Sequence, residues 1–529
     1  MSFSFQVNNE LEFNHDETLL AKAEALHPTI HKETKHPIRI VDIVEDNTKL
    51  GGYWTFPSTK DIAQLHTYPM KRNDVIILDF GDHMVGSFSI HIDQTGSPMD
   101  APIYMRLRFA EMPVELTMDS KDYDGWLSRP WIQEDFIHLD ELPTTLSLPR
   151  RYSFRYVEIK IIDTSPKWQA LFSNPTVVTE TSADYTKLKP CHIKDEQLQE
   201  IYDVGVKTLS ECMQDVFEDG PKRDQRLWLG DLRLQALANY ATFDNVDLVK
   251  RCLYLFAAMT TKEGKIPANV FVKPKNIPDD TFLFEYSLFF ISVLYDLNKA
   301  HPDPEFVKEL YPIAKRQMDI TLGMFDSNGK LIPDENYPIF VDWSNTYNKD
   351  TAGQGEVIYV LKQFIDLGKI VNDEQISHYE ETLAKITQYA IDNLFDPRCY
   401  LFRTTGNEYN IASQVWMVLA HVMDDYDNKE IMLSTYRNLF PLEGIVTPYM
   451  YHHLAEAFFE ADLPDKGLSQ MINYWGKMID LGADTFWEAF DPNNPNFSPY
   501  GSAMVNSYCH AWSCSPVYLI KKYLSFFIQ

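Results

Sequence analysis

The sequence predicts a multidomain protein in which an N-terminal antiparallel β-sandwich is followed by an all-α (α/α)6 toroid. The chain has 529 residues, and at about 150 residues per domain this length allows two to four domains. The hydrophobic period changes near residues 180–194, from the alternation typical of strands to the spacing typical of helices. We therefore assign residues 1–183 to the sandwich and residues 184–529 to the toroid.

Three segments in the first third of the chain alternate apolar with polar residues, namely 74–93, 103–116 and 152–163. They are rich in Val, Ile, Phe and Tyr, the residue types that fit a pleated, half-buried surface. Turns containing Gly, Asp and Pro bound these segments. The pattern is typical of an antiparallel sandwich.

The remaining two thirds carry apolar residues at steps of three and four, as helices with one buried face do. The pattern predicts twelve helices, near residues 195–214, 231–242, 245–260, 281–299, 304–324, 352–368, 374–393, 409–424, 427–438, 447–462, 464–480 and 501–525. Twelve helices in hairpin pairs, with almost no strand signal, favour an (α/α)6 toroid. A tetratricopeptide or HEAT array is disfavoured because no short fixed-period repeat is visible.

Composition excludes several classes of function. Lys and Arg number 48 against 76 Asp and Glu, a formal charge of −28, so we expect no nucleic-acid partner. The start of the chain lacks the pattern of a signal peptide, and no window approaches about 18 uninterrupted apolar residues. We therefore expect a cytoplasmic protein without a membrane partner. The six cysteines are scattered and are expected to be reduced.

Four long loops separate the predicted helices, at residues 215–230, 261–280, 325–351 and 481–500. Long loops in a compact domain are more often functional than accidental. In a toroid one set of loops gathers at one mouth. We therefore expect an aromatic and acidic funnel at that mouth.

The densest cluster of chemical groups is the run DGPKRDQRLWLGD, from Asp219 to Asp231. It places three carboxylates, three basic groups and Trp228 within thirteen residues. Opposed charges at close spacing shift carboxyl pKa values in the way that acid catalysis requires. The alternative interpretation is a solvated charged loop in which Asp231 caps the N-terminus of a helix.

A second cluster, ADTFWEAF at residues 483–490, sets Glu488 among aromatic residues. A desolvated carboxylate suits a base that activates water, whereas the alternative is an exposed Glu at an aromatic junction. Sugar rings favour aromatic platforms because their axial C–H faces are apolar. Glycosidases also need two carboxyl groups on opposite sides of the scissile bond. The pattern therefore indicates a sugar-cleaving site.

Three further residues could face the same mouth: Tyr286, Trp343 in the run VDW, and His510 in the run SYCHAW. A core histidine is the alternative for His510. No HExxH, GxSxG, P-loop or strand-linked GxGxxG is present. Metal, acyl-transfer, nucleotide and dinucleotide chemistry are therefore unsupported, and we expect neither a metal nor a cofactor.

These motifs resemble those of the bacterial α-L-rhamnosidases of glycoside hydrolase family 78. DGPKRDQRLWLGD looks like the family's acidic signature, ADTFWEAF its later Trp-Glu motif, VDW its Gly-Asp-Trp loop and SYCHAW its C-terminal His motif. The likeness covers residues 190–529 and, more loosely, the sheet domain before them. It implies a six-hairpin (α/α)6 catalytic domain, inverting hydrolysis of terminal α-L-rhamnosides, and no cofactor.

The resemblance also implies roles for individual residues. Glu488 matches the general base that deprotonates the attacking water. Asp219 and Asp231 match carboxylates that hold the sugar hydroxyls or assist protonation. The other side chains expected around the rhamnose ring are Arg223, Trp228, Tyr286, Trp343, Trp487 and His510.

The chain departs from the family pattern at one position. Gln225 stands where the motif has the Glu that acts as general acid, and a carboxamide cannot protonate a leaving oxygen. We assign the acid to the adjacent Asp224, with Asp219 and then Asp231 as the next candidates.

The sequence thus predicts an inverting glycoside hydrolase that removes terminal α-L-rhamnose from small rhamnosides, with Asp224 as general acid and Glu488 as general base. One alternative is another toroid glycosidase, acting on α-glucosides. A second is a sugar-binding protein that has lost catalysis. The sequence allows either a homodimer or a monomer.

Overall fold

The computed structural model describes residues 11–344 and 346–528. The N-terminal part holds one helix, α1 (Glu17–Ala25), and nine strands: β1 (His31–Lys35), β2 (Arg39–Glu45), β3 (Tyr53–Pro57), β4 (Val75–Gly96), β5 (Ile103–Ala110), β6 (Glu134–Leu139), β7 (Thr144–Ser147), β8 (Tyr152–Asp163) and β9 (Trp168–Thr181). The sequence pattern did not predict α1.

All nine strands join one antiparallel sheet, whose main order is β1-β9-β4-β8-β5-β6. The 22-residue strand β4 pairs with β8 over its first part and with β9 over its second, and the register shifts between Asp79 and Met84. Alternate side chains from β4, β5, β8 and β9 meet in a single apolar core. The period-two pattern in the sequence therefore reports the buried face of this sheet.

The second part of the chain is helical. Its helices are α2 (Glu196–Cys212), α3 (Leu229–Tyr240), α4 (Val246–Ala258), α5 (Phe284–Ala300), α6 (Pro304–Leu322), α7 (Asp350–Val371), α8 (Ile376–Tyr389), α9 (Ile411–Leu419), α10 (Asp425–Asn438), α11 (Pro448–Glu460), α12 (Pro464–Met471), α13 (Lys477–Asp480) and α14 (Pro516–Tyr523). A π-helical turn at Ile472–Gly476 joins α12 to α13. Five short strands complete the domain: β10 (Leu227–Trp228), β11 (Asn269–Phe271), β12 (Ile277–Pro278), β13 (Phe395–Asp396) and β14 (Leu401–Phe402).

Alternate helices belong to an inner ring if α12 and α13, which the π-helical turn joins, are taken as one helix. The ring runs α3, α5, α7, α9, α11 and α14, and α14 packs back against α3. The helices α2, α4, α6, α8, α10 and α12 pack around it, each against a neighbouring inner helix. Inner helices such as α9 are buried on all sides, whereas outer helices such as α6 bury a single stripe. The loops at one end of this ring carry the motifs singled out above.

The predicted fold class, an antiparallel sheet domain followed by a helical domain, is confirmed. The last predicted helix, residues 501–525, is wrong over most of its length, because only Pro516–Tyr523 is α-helical. Residues 505–513 instead run beside residues 486–488, since the amide of Glu488 donates to Ser507 and that of His510 donates to Phe486. The exact boundary between residues 183 and 184 stays a prediction.

The two domains meet through buried charges. Lys222 of the helical domain donates to Glu115 of the sheet domain at 2.5 Å, and Arg151 of the sheet domain pairs with Glu218. The backbone amide of Tyr508 donates to Glu111 at 2.7 Å. The sheet domain thus holds both of the segments that carry the candidate site. Among the described residues, no helix is long and apolar enough to cross a bilayer.

Candidate active site

A pocket opens at the mouth of the helical ring, where the sheet domain meets it. Its empty volume is about 630 Å³, including the space open to solvent. Its walls are formed by Trp126, Leu127, Asp219, Arg223, Asp224, Trp228, Asp231, Leu283, Tyr286, Phe340, Trp343, Glu488, Tyr500, His510 and Trp512. Nine of the ten predicted site residues therefore lie in one pocket, and only Trp487 does not.

The loop that carries Asp224 is closed at its two ends. The amide of Asp219 donates to the carbonyl of Arg226 at 2.9 Å, and the amide of Arg226 donates to Asp219 Oδ1 at 3.0 Å. Within this loop Asp224 and Gln225 both have left-handed backbone, with φ of 61° and 52°. Asp224 faces the pocket, whereas the Gln225 amide turns back and donates to the carbonyl of Pro221 at 2.7 Å.

Glu488 lies deep in the pocket and is held by two donors. Arg223 Nη2 and the Tyr500 hydroxyl each donate to one of its carboxylate oxygens. The guanidinium of Arg223 stacks over the Tyr500 ring at 4.1 Å and also lies 3.8 Å from Asp224 Oδ1. Charge-assisted bonds of this kind favour an ionised carboxylate. Arg223 therefore links the two predicted catalytic carboxylates.

Trp487, which was predicted to contact the sugar, does not line this pocket. The Glu488 amide donates to the carbonyl of Ser507, and the chain bends at Glu488. Trp487 is only 2% exposed and packs edge-on against Phe490 and Tyr508. It supports the segment from behind.

Three ionisable groups form the floor of the pocket: Asp219, Asp231 and His510. His510 Nδ1 lies 3.4 Å from Asp231 Oδ1, and His510 Nε2 lies 3.9 Å from Asp219 Oδ2. Burial raises the pKa of Asp231 well above its ordinary value, and burial together with the charges of Asp224 and Asp231 does the same for the pKa of Asp219. Burial lowers the pKa of His510 well below its ordinary value. The floor thus favours neutral groups that can exchange hydrogen bonds with hydroxyls.

The alternative in which Asp231 caps a helix is not what the structure shows. Helix α3 begins at Leu229, its N-cap residue is Trp228, and Asp231 lies in its first turn. The short pairing of Trp228 with Asn269 fixes the indole at the helix entrance. Gly230 admits the Tyr286 ring, since a Cβ there would lie 2.5 Å from that ring. Trp228 and Tyr286 then meet edge-on, with their centroids 6.2 Å apart.

Trp343 is set in the wall by its neighbour in the run VDW. Asp342 accepts from the amide of Ser344 at 2.9 Å and from the amide of Thr447, the N-cap residue of α11, at 2.9 Å. The loop is therefore tied to an inner helix, and the Trp343 ring packs edge-on against Phe340 and Tyr500.

Sequence reasoning missed part of the pocket. Trp126 and Leu127 come from the sheet domain, and Leu283, Phe340, Tyr500 and Trp512 come from loops or helix ends of the helical domain. Trp512 is the last residue of the run SYCHAW and Tyr500 the last residue of the loop 481–500, so both lie in segments that were singled out. Trp126 carries no signal beyond being an isolated aromatic residue in a loop.

One group of possible metal ligands occurs among the described residues, and it lies outside the pocket. The ligand atoms of His83, Glu211 and Cys509 lie within 4.8 Å of one another at the domain interface. Both ring nitrogens of His83 already contact carboxylates, and Lys207 Nζ lies 2.8 Å from Glu211. The protein itself therefore neutralises this group.

The chain matches two protein-family profiles. Residues 37–179 match the family 78 α-rhamnosidase N-terminal domain, and residues 191–524 match the bacterial α-L-rhamnosidase six-hairpin glycosidase domain. The second match alone spans more than half of the chain. The chain belongs to the α-L-rhamnosidases of glycoside hydrolase family 78. It is thus a glycoside hydrolase, as the motifs predicted.

Solved structures agree with this family. A rhamnosidase from Klebsiella oxytoca with rhamnose bound is 42% identical, with a TM-score of 0.93 over 97% of this chain and 100% of that one. A family 78 rhamnosidase from Bacillus sp. GL1 shares the fold at 18% identity, with a TM-score of 0.70 over 85% of this chain and 46% of that one. A comparison with curated proteins found no match. No finding favours the α-glucosidase or the non-catalytic alternative for this family 78 rhamnosidase.

Proposed function

We propose that this family 78 enzyme removes terminal α-L-rhamnose from small rhamnosides with inversion, using Asp224 as general acid and Glu488 as general base. The observation that carries the proposal is that both carboxylates line one pocket and contact the same guanidinium, that of Arg223. An acid and a base on either side of one bond are what glycoside hydrolysis requires.

Glu488 is suited to the base. Arg223 and Tyr500 each donate to one of its oxygens, which favours the ionised form, and each oxygen keeps a further lone pair for a water molecule. Glu488 is 5% exposed, so a water bound there is shielded from bulk solvent. In the proposed reaction Glu488 takes a proton from this water as its oxygen attacks the anomeric carbon.

Asp224 is suited to the acid because of where it lies. Its side chain is 22% exposed, against 5% for Asp219 and 3% for Asp231. The leaving group departs towards solvent, so the group that protonates the glycosidic oxygen must reach the outer part of the pocket. Asp224 does so, whereas Asp219 and Asp231 stay at the floor. Gln225 is turned towards the backbone and takes no part.

The spacing of the two carboxyl groups is compatible with inversion. Contact with one guanidinium limits their nearest oxygens to no more than roughly 8 Å apart, which overlaps the range of about 6.5–9.5 Å that leaves room for a water molecule. The neutral floor would bind the sugar hydroxyls, and the rings of Trp228, Tyr286 and Trp343 would pack against the apolar C–H face and the C6 methyl group. The Klebsiella relative, which has rhamnose bound, supports rhamnose as the sugar.

The test separates the two roles by leaving group. Glu488→Gln should lower kcat by roughly 10²–10⁴-fold for both 4-nitrophenyl and 2,4-dinitrophenyl α-L-rhamnoside, because both need the base. Asp224→Asn should lower kcat as much for the first substrate but less than about tenfold for the second, whose leaving group needs little protonation. Proton NMR at early times should show β-L-rhamnose as the first product.

Asp215→Asn is the matched control, since Asp215 lies near the same loop, is 24% exposed and is outside the pocket. It should leave kcat unchanged. Equal losses of Asp224→Asn for both substrates would remove Asp224 as the acid, and α-L-rhamnose as first product would exclude inversion. A homodimer stays a prediction, to be checked by sedimentation equilibrium.

A further inference from the structure

We propose that Trp126, from the N-terminal sheet domain, is the platform for the leaving group and makes the enzyme selective for rhamnosides whose leaving group has a flat, apolar face. The proposal rests on the hydrolysis of rhamnosides proposed above and extends it to the half of the substrate that is not rhamnose.

The shape of the pocket gives the direction in which a leaving group must point. Asp219, Asp231 and His510 close the floor, and each is at most 5% exposed. A group attached to the anomeric carbon of a bound sugar can therefore extend only through the mouth. Trp126 lies at that mouth and, at 51% exposed, is the most exposed large apolar residue of the pocket wall.

Trp126 is fixed in place from below. Its ring nitrogen donates to the carbonyl of Pro499 at 3.1 Å, and its ring packs on Tyr500 with centroids 5.4 Å apart and an interplanar angle of 50°. Tyr500 in turn donates to Glu488. The platform is thus built on the same residue that holds the proposed base, which places it beside the reacting bond.

The loop that carries Trp126 fits tightly against the helical domain. A Cβ at Gly125 would lie 2.6 Å from the carbonyl oxygen of Tyr500 and 2.6 Å from the Tyr123 hydroxyl, so only glycine permits this approach. The Tyr123 hydroxyl donates to the carbonyl of Leu127 at 2.9 Å, which closes the loop on itself. A surface fixed in this way binds without an ordering cost.

An exposed indole recognises flat faces by stacking and does not select for polar groups. Two kinds of leaving group share this chemistry: an aromatic ring and the apolar face of a pyranose. Both would lie on Trp126 while rhamnose fills the floor. A leaving group without a ring would gain nothing from the indole.

Three substrates test the platform on Trp126→Ala: 4-nitrophenyl α-L-rhamnoside, an α-L-rhamnosyl-glucose disaccharide and α-L-rhamnosyl fluoride, which has no ring beyond rhamnose. We expect kcat/KM to fall about three- to tenfold for one or both of the first two, the size of one aromatic contact, and to change less than twofold for the fluoride. Trp126→Phe should restore most of the loss. The larger loss identifies the natural leaving group as an aryl ring or a sugar.

Phe136→Ala is the matched control, because Phe136 is also 51% exposed on the sheet domain but does not line the pocket. It should behave as the native enzyme. Equal losses for all three substrates, or none for the two ringed ones, would overturn the platform. Calorimetric binding of phenyl against methyl 1-thio-α-L-rhamnoside gives the same comparison without turnover. If the roles assigned to Asp224 and Glu488 are wrong, the Asp224→Asn and Glu488→Gln variants will show it. The comparison of Trp126→Ala on ringed and ringless substrates does not depend on those roles.

Discussion

Two sets of buried carboxyl groups, one at the domain interface and one in the pocket floor, have pKa values that are shifted in opposite directions. At the domain interface, burial alone would raise the pKa of Glu111, but the charge of Lys222 and the hydrogen bond from His83 hold it below its ordinary value. In the pocket floor, burial raises the pKa of Asp219 and Asp231, and the charge of Arg223 offsets only part of the rise at Asp219. The direction of the pKa shift therefore depends on the charged partner of the carboxyl group and not on how deeply the group is buried.

The comparison shows how one enzyme uses buried acids for two tasks. Charged pairs at the interface fix the position of one domain against the other, because the free-energy cost of burying a charge is offset only while that charge keeps its partner. In the pocket, the raised pKa values of Asp219 and Asp231 favour neutral acids, which would leave donors and acceptors for the uncharged sugar of the proposed reaction. Glu115 lies between the two cases, because burial raises its pKa to about 7 even though Lys222 lies beside it.

Removing the interface cation should have the largest effect. Lys222→Met leaves Glu115 and Glu111 buried without the lysine ammonium, and Glu111 then keeps only its uncharged donors and His83. We expect a loss of about 3–5 kcal/mol in the free energy of unfolding, measured by urea denaturation at pH 7. Lys167→Met is the control, because Lys167 and Asp100 form an exposed pair, and exposed pairs contribute little to stability. Equal losses in the two variants would mean that burial does not distinguish these pairs.

A neutral replacement in the pocket floor should have an intermediate and pH-dependent effect. Because the folded-state pKa of Asp231 is raised, the folded protein binds the proton more tightly than the unfolded chain, and Asp231 lowers stability as pH rises above about 4. The side chain of the Asp231→Asn variant does not titrate. We expect the free energy of unfolding of the native protein to fall by about 1–3 kcal/mol relative to that of the variant between pH 5 and pH 8. If it rises relative to the variant instead, Asp231 is ionised in the folded protein.

The smallest effect is expected at the edge of the interface. Lys207 pairs with buried Glu211 at 2.8 Å and with Asp82, which is 56% exposed, at 2.9 Å. Asp82→Asn should cost less than about 1 kcal/mol, and 0.5 M salt should remove most of the difference because exposed pairs are screened. A loss as large as that of Lys222→Met would contradict the importance of burial.

Much of this molecule could be predicted from sequence because its signals are local. The change of hydrophobic period gave the two domains, and the run from Asp219 to Asp231 gave most of the pocket. Trp487 and Glu488 are neighbours in an irregular segment, where no period in the sequence says which of the two side chains lines the pocket. The missing α-helix at residues 501–515 has a similar cause, since buried apolar residues there lie in irregular chain and in two short 3-10 turns, Ala503–Val505 and Ala511–Cys514.

Other parts could not be predicted because they depend on contacts far apart in the chain. Trp126 reaches the pocket only through packing of its loop against Tyr500, and the partnership of Glu115 with Lys222 spans 107 positions. Such contacts leave no periodic pattern in either segment. The sequence analysis excluded Gln225 as the acid on chemical grounds and preferred Asp224 to Asp219 and Asp231. Of the neighbours Asp224 and Gln225, only Asp224 lines the pocket.

Lys222 and Arg223 are consecutive residues with different contacts. Lys222 donates to Glu115 of the sheet domain, and Arg223 donates to Glu488 in the pocket. Any shift of one domain against the other is therefore transmitted across a single peptide bond to the proposed base. For protein engineering, this means that the helical ring cannot be treated as a module to be excised or fused to a foreign sheet domain. A chimaera would have to supply a carboxylate at the position of Glu115 before its active site could be expected to assemble.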